Sequence, residues 1–199
     1  MADGARISIY KVGDDGDPLE PRESRRKFIN QCGVLVRDLV PIILEEWHKP
    51  KDDNKAASYV DDRRIFLLWD TLLTHVNLPP GLSEDKKDKV KQWTLKKMAT
   101  QFQTWKKNLW KNYVAAEEQD PEFTGPLEKL QNDWPAFVKQ RKSEAAVARS
   151  EINKVNDGKK THHHTLGTGG YKTAVPKWEA FEAEQIGRAS CRERVCLYV

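Results

Sequence analysis

The sequence predicts a mainly α protein: a small helical domain with one long basic helix, flanked by a disordered leader and C-terminal segments. Three observations carry this. Apolar residues recur every three or four positions in three stretches, each long enough for a helix. Gly, Pro, Ser and Asp punctuate the gaps between them. Strand-like alternation is confined to Ile7-Ser8-Ile9-Tyr10.

The domain is organised around Leu95–Tyr113. At 100° per residue, Leu95, Met98, Phe102, Trp105, Leu109 and Tyr113 gather on one side of a helix. Lys96, Lys97, Lys107 and Lys111 fall opposite. An aromatic spine would thus hold four lysines outward as a group, where phosphates can reach them. The alternative is a core helix with a solvated exterior.

Taken in order, residues 1–23 read as a disordered leader rich in Gly, Asp and Pro, with at most one edge strand. From Ser24, Phe28, Cys32, Leu35 and Leu39 form the stripe of a first helix. Arg25, Arg26 and Lys27 crowd its first turn, where cations oppose the helix dipole, so local stability did not place them there. Pro41 ends or kinks this helix, Ile42–Trp47 adds a short apolar piece, and 49–58 is a polar loop. Asp61 or Asp62 caps a second helix, with Ile65, Leu68, Trp69, Leu72 and Val76 facing inward. The prolines and glycine of 77–83 stop it, and Ser83 caps the lysine-rich helix, with Glu84 and Asp85 in its favourable first turn. Val90 and Trp93 lie about half a turn off the later stripe, so either the helix bends or its first turns meet another neighbour. After an acidic linker, Asp133 and Pro135 start a helix running to about Asn156. Its apolar content ends with Trp134, Phe137 and Val138, which favours an exposed, projecting helix beyond Arg141. A short helix over 176–185 carries Trp178 and Phe181 on one side.

Of the 199 residues, 38% are hydrophobic and 32% charged, enough for one modest core and hardly two. The net charge of +4 is too small to argue for a nucleic-acid partner, but its distribution is uneven. Residues 84–113 hold nine lysines against three acids, and 139–160 hold seven bases against three acids. Such blocks concentrate positive potential on particular faces. No apolar run reaches membrane-span length, and no signal-peptide layout is present, so no membrane association is expected. Cys32 is read as the one genuine cysteine, which implies no disulfide framework and a reducing compartment. His162, His163 and His164 are adjacent and diverge along the chain, with no second ligand pair at zinc spacing, so no metal or cofactor is expected. The glycines at 167–170 lack the Lys-Ser/Thr pair and preceding strand of a phosphate loop.

Residues 186–195 read IGRASCRERV, which resembles a common sequencing-library adapter translated in frame. The expected division is therefore a leader, 1–23; a helical core, 24–140; a projecting helix, His/Gly-rich loop and short helix, 141–185; and an adapter artefact, 186–199. The natural chain would continue differently, and Cys191 and Cys196 belong to the artefact.

In order, Phe28-Ile-Asn-Gln-Cys-Gly-Val-Leu-Val-Arg37, Trp105-Lys-Lys-Asn-Leu-Trp-Lys-Asn-Tyr113, Asp133-Trp-Pro-Ala-Phe-Val138 and His164-Thr-Leu-Gly-Thr-Gly-Gly-Tyr171 form a set. It resembles the plant transposase family of the Ptta and En/Spm (CACTA-type) elements, over roughly residues 25–182. The resemblance implies a nuclear, element-derived plant protein, often with a C-terminal coiled coil. The helices also resemble, by analogy only, a Myb/SANT or trihelix domain, with Trp69, Trp93, Trp105 and Trp110 as the core aromatics.

The family name implies catalysis; the residues do not. Transposases that cut and paste hold metal ions with three carboxylates on a sheet-based fold, and this chain has almost no strand signal. The expectation is a non-catalytic DNA-binding protein. Lys96, Lys97, Lys107 and Lys111 would contact duplex phosphates, with Arg141 and Lys142 as a second basic site. The alternative is a protein-interaction module, assembling with another transposon protein or with itself through the projecting helix or a missing coiled coil.

Overall fold

A computed structural model describes residues 6–50, 58–115, 120–159, 174–175 and 177–184. The chain divides into two compact units, Met1–Val147 and Ala148–Val199. The histidine run, the Gly-rich loop and residues 186–199 lie outside the described residues.

The protein is mainly α, as the sequence implied. In the first unit the order is β1 (Ile7–Ser8), β2 (Lys11–Val12), β3 (Pro18–Glu20), α1 (Arg22–Leu39), α2 (Asp62–His75), β4 (Val76–Asn77) and α3 (Glu84–Leu109). A π-helical turn (Trp110–Val114), a 3-10 turn (Gly125–Leu130) and α4 (Trp134–Arg141) follow. α5 (Glu144–Gly158) crosses the boundary between the units and buries none of its side chains. Residues 174–175 and 177–184 of the second unit are helical, with Trp178 and Phe181 exposed.

The segment read as a leader contributes structure from Arg6 on. β1 pairs in parallel with β4, and β2 pairs antiparallel with β3. Arg6 donates to the carbonyls of Leu73 and Thr74 at 2.9 Å each, satisfying the open end of α2. Ile9 is buried in the core. The period-two pattern at Ile7–Tyr10 is a true strand signal; what sequence missed is its partner some seventy residues away.

The basic start of α1 also finds its explanation here. Arg25 grips the buried Asp17 with two hydrogen bonds, at 3.0 and 3.1 Å, and Lys27 pairs with Glu23 at 2.8 Å. A partner in the preceding β2–β3 turn and one within the helix thus offset the unfavourable dipole at two of the crowded positions.

α1, α2 and α3 pack on one another around Phe28, Cys32, Leu68, Leu72, Met98 and Phe102. Asp61 caps α2, accepting from Arg64 N at 2.8 Å, and Ser83 caps α3, accepting from Lys86 N at 3.3 Å. α3 does not break at Trp93. Trp93 joins the same core, packing on Phe28 at 6.4 Å; only Val90 meets a different neighbour, lying under the β2–β3 turn. There Gly16 has φ +85°, and a Cβ on it would stand 2.2 Å from Lys89 O. Only glycine satisfies both the turn and the contact.

A second apolar cluster gathers Ile42, Leu109, Val114, Leu130, Trp134 and Phe137. Trp105 packs against both clusters, so one helix threads two cores where composition suggested one. Trp69, Trp93, Trp105 and Trp110 are all half-buried; the buried tryptophans are Trp47 and Trp134. Asp133 makes no side-chain cap. The helix expected over 135–156 is two helices, divided at Lys142–Ser143. Ser143 Oγ accepts from Ala146 N at 3.4 Å, and a serine that caps restarts a helix more readily than it continues one.

Candidate nucleic-acid interface

α3 positions most of the candidate cations. Its buried row is Val90, Thr94, Met98, Phe102 and Lys106, each four residues from the last. Four residues advance 400°, so this row winds about 40° per step around the helix, which carries Lys106 into the core. The sequence had placed Trp105 there.

Lys106 is 1% exposed. Its Nζ donates to Leu44 O and lies 5.0 Å from the centre of the Phe102 ring. Burial lowers its pKa to about 8, helped by the charge of Arg141 and resisted by Glu45 and Glu46. This lysine joins α3 to the 42–47 segment and is unavailable to a ligand. The signal that could have found it is the four-residue spacing from Val90.

Lys96, Lys107 and Lys111 are exposed and Lys97 is half-buried. By the helical step, Lys96 and Lys107 lie within about 20° of one another on α3 and Lys97 about 80° from Lys107, while Lys111 follows on the π-helical turn. The helix rise spreads Lys96 to Lys107 over about 16 Å, with Lys111 beyond them. Between them, the Thr100 and Thr104 hydroxyls donate back to the carbonyls of Lys96 and Thr100, leaving lysine the main charge on this face.

The two ends of α3 differ electrostatically. Lys86, Lys87 and Lys89, near its start, are neutralised by Asp14, Glu84 and Asp85 at 4.0, 2.6 and 2.8 Å. Between Asp88 and Glu117 the sequence holds seven lysines and no acid. Among the described residues, Lys96, Lys97, Lys107 and Lys111 meet no carboxylate within 4.0 Å. Cations in the last turn also suit the helix dipole, but that effect fades within one turn and leaves Lys96 and Lys97 unexplained.

The second basic site is of a different kind. Arg141 is half-buried, with its guanidinium 5.5 Å from the centre of the Phe137 ring and its charge felt by Lys106. It is part of the packing. Lys142 is exposed at the end of α4. The structure leaves Lys96 and Lys107 of α3 and Lys111 of the π-helical turn exposed, with Lys97 half-buried on the flank, and holds Arg141 against the second core.

Among the described residues, no group of three or more His, Cys, Asp or Glu could hold a metal ion. No described helix is long and apolar enough to cross a membrane. Comparison of the chain with protein-family models, with curated proteins and with solved structures gives no match.

Proposed function

We propose that this chain is a transposon-derived, non-catalytic DNA-binding protein of the plant nucleus, contacting duplex phosphates through the lysine face of α3. The observation that carries the reading is the acid-free stretch after Asp88, whose Lys96, Lys97, Lys107 and Lys111 stand without carboxylate partners among the described residues. Lys96, Lys107 and Lys111, held outward by a buried opposite face, with Lys97 on their flank, form a positive surface that attracts a polyanion more strongly than the net charge implies. Lysine is a mobile point charge, suited to phosphate contact more than to bidentate reading of bases, so binding is electrostatic and weakly selective. The family resemblance supplies the transposon origin, the plant source and the nucleus. The non-catalytic part of the reading is supported by the small sheets: among the described residues, strands of two or three residues offer no frame for three metal-holding carboxylates.

Titration of the purified chain with random duplex DNA across salt concentrations tests this. The four lysines together should contribute a slope of about −3.6 in log K against log[salt], each about −0.9. Replacing all four by glutamine should remove that contribution with the melting temperature unchanged. An unchanged slope would make the face ordinary solvated surface. The interaction-module reading would then lead, supported by the exposed Val147, Ile152 and Val155 of α5.

A further inference from the structure

Arg22, Arg26 and Arg37 are the cations of α1 that packing does not account for. Arg25 has Asp17 and Lys27 has Glu23, whereas these three are exposed and meet no carboxylate among the described residues. Arg22 and Arg26 stand near the start of the helix, where a cation is least favourable.

Their direction is set by Gly33. The 100° step puts Arg22, Arg26, Gly33 and Arg37 within about 60° on α1. Gly33 is buried although it lies at the edge of the apolar face, because α3 comes close there. A Cβ on Gly33 would stand 3.2 Å from Gln101 Nε2 and 3.5 Å from Arg37 Nη1. Gln101 Nε2 donates to Ile29 O at 2.8 Å, tying the two helices together at this point. The arginine edge of α1 therefore runs along its junction with α3. On α3 the same step puts Lys97, Gln101, Thr104 and Asn108 within about 60°, so Lys97 stands on the flank that faces this junction. A cleft along α1 is lined by Arg22, Glu23, Arg25, Arg26, Ile29 and Asn30.

We infer that Arg22, Arg26 and Arg37 form a second wall of the DNA surface, so that the duplex backbone lies along the α1–α3 junction rather than on α3 alone. This rests on the DNA-binding reading and deepens it. Arg26 and Arg37 are eleven residues apart, about 16 Å along the helix, the same interval as Lys96 and Lys107 on α3. The two rows thus offer matched spans to one extended polyanion. Guanidinium groups add planar, two-pronged phosphate contacts that the lysines lack.

The test compares wild type, the lysine-to-glutamine quadruple variant and R22Q/R26Q/R37Q on the same random duplex. The quadruple variant should keep a slope of at least about −2.7 from the arginines, and the arginine variant should lose about that much. Its affinity at 0.1 M salt should fall by about 100-fold or more. Arg→Lys at the three positions should restore the slope. On the wild-type chain, bound duplex should protect Arg22, Arg26 and Arg37 from phenylglyoxal while exposed Arg63 on α2 reacts as before. If wild type does not bind duplex DNA, the proposed function falls and this inference with it. If wild type binds, but the arginine variant keeps its slope and affinity, the α1 wall is wrong and the α3 face stands. Should that variant fail to fold, equal phenylglyoxal reactivity at all four arginines with and without DNA would overturn the inference.

Discussion

Phe102→Ala is expected to cost about 3–5 kcal/mol, a large share of the 5–15 kcal/mol that holds a typical domain together. The Phe102 ring is fully buried between two tryptophans, 5.9 Å from Trp47 and 6.4 Å from Trp105. It also supports the Lys106 ammonium. Truncation removes its transfer energy and opens a cavity that helices tied at both ends cannot close. Trp105→Ala removes a larger ring but one that is only half-buried, and should cost roughly 1–3 kcal/mol. Urea unfolding of the two variants measures both. A larger loss for Trp105 than for Phe102 would mean that the buried row follows the three-and-four pattern centred on Trp105 after all.

Stability should rise between pH 8 and 9, by about 1 kcal/mol, and the rise should vanish in Lys106→Met. The folded pKa of Lys106 is about 8 against 10.5 for an ordinary lysine. Between those values the unfolded chain binds more protons, so stability increases with pH; below 8 both states are protonated and the cost of burying an ammonium is carried in full. That cost is on the order of 3 kcal/mol. Cys32 acts in the opposite sense. Burial pushes its thiol up to about 12 from 9.0, so above pH 9 the unfolded chain loses a proton that the folded chain keeps, and stability falls. The two effects offset one another between about pH 9 and 10.5, giving a plateau followed by an alkaline decline. Thermal melts at fixed ionic strength follow the profile. Lys106→Met should be flat up to pH 9 and then fall; Cys32→Ala should keep the rise and lose this thiol's part of the decline. A wild-type profile flat from pH 7 to 9 would show that Lys106 is charged and well solvated in the folded state.

Local pattern determined a good deal by itself. The mainly α class, the caps at Asp61 and Ser83, the end of α1 before Pro41 and the inward face of α2 at Leu68 and Leu72 all follow from periodicity and turn chemistry. These depend on residues within one or two turns of each other, so the chain itself states them. The outward set Lys96, Lys107 and Lys111 was legible for the same reason: each stands nearly opposite the apolar stripe. What only tertiary structure decided involves partners distant in sequence. β1 acquires meaning from β4, and Gly16 from the backbone of Lys89. Lys106 was invisible as a core residue because its composition argues for solvent; it is buried because α3 must contact the 42–47 segment along a row that winds with the helix. Of the arginine edge of α1, only Arg26 stands out in the sequence, among the cations crowding the first turn; the relation of the edge to the lysines is a property of the α1–α3 packing. Periodicity gives the face of each helix; which faces adjoin is settled by side-chain volumes meeting across the core, as where Gly33 lets Gln101 come close.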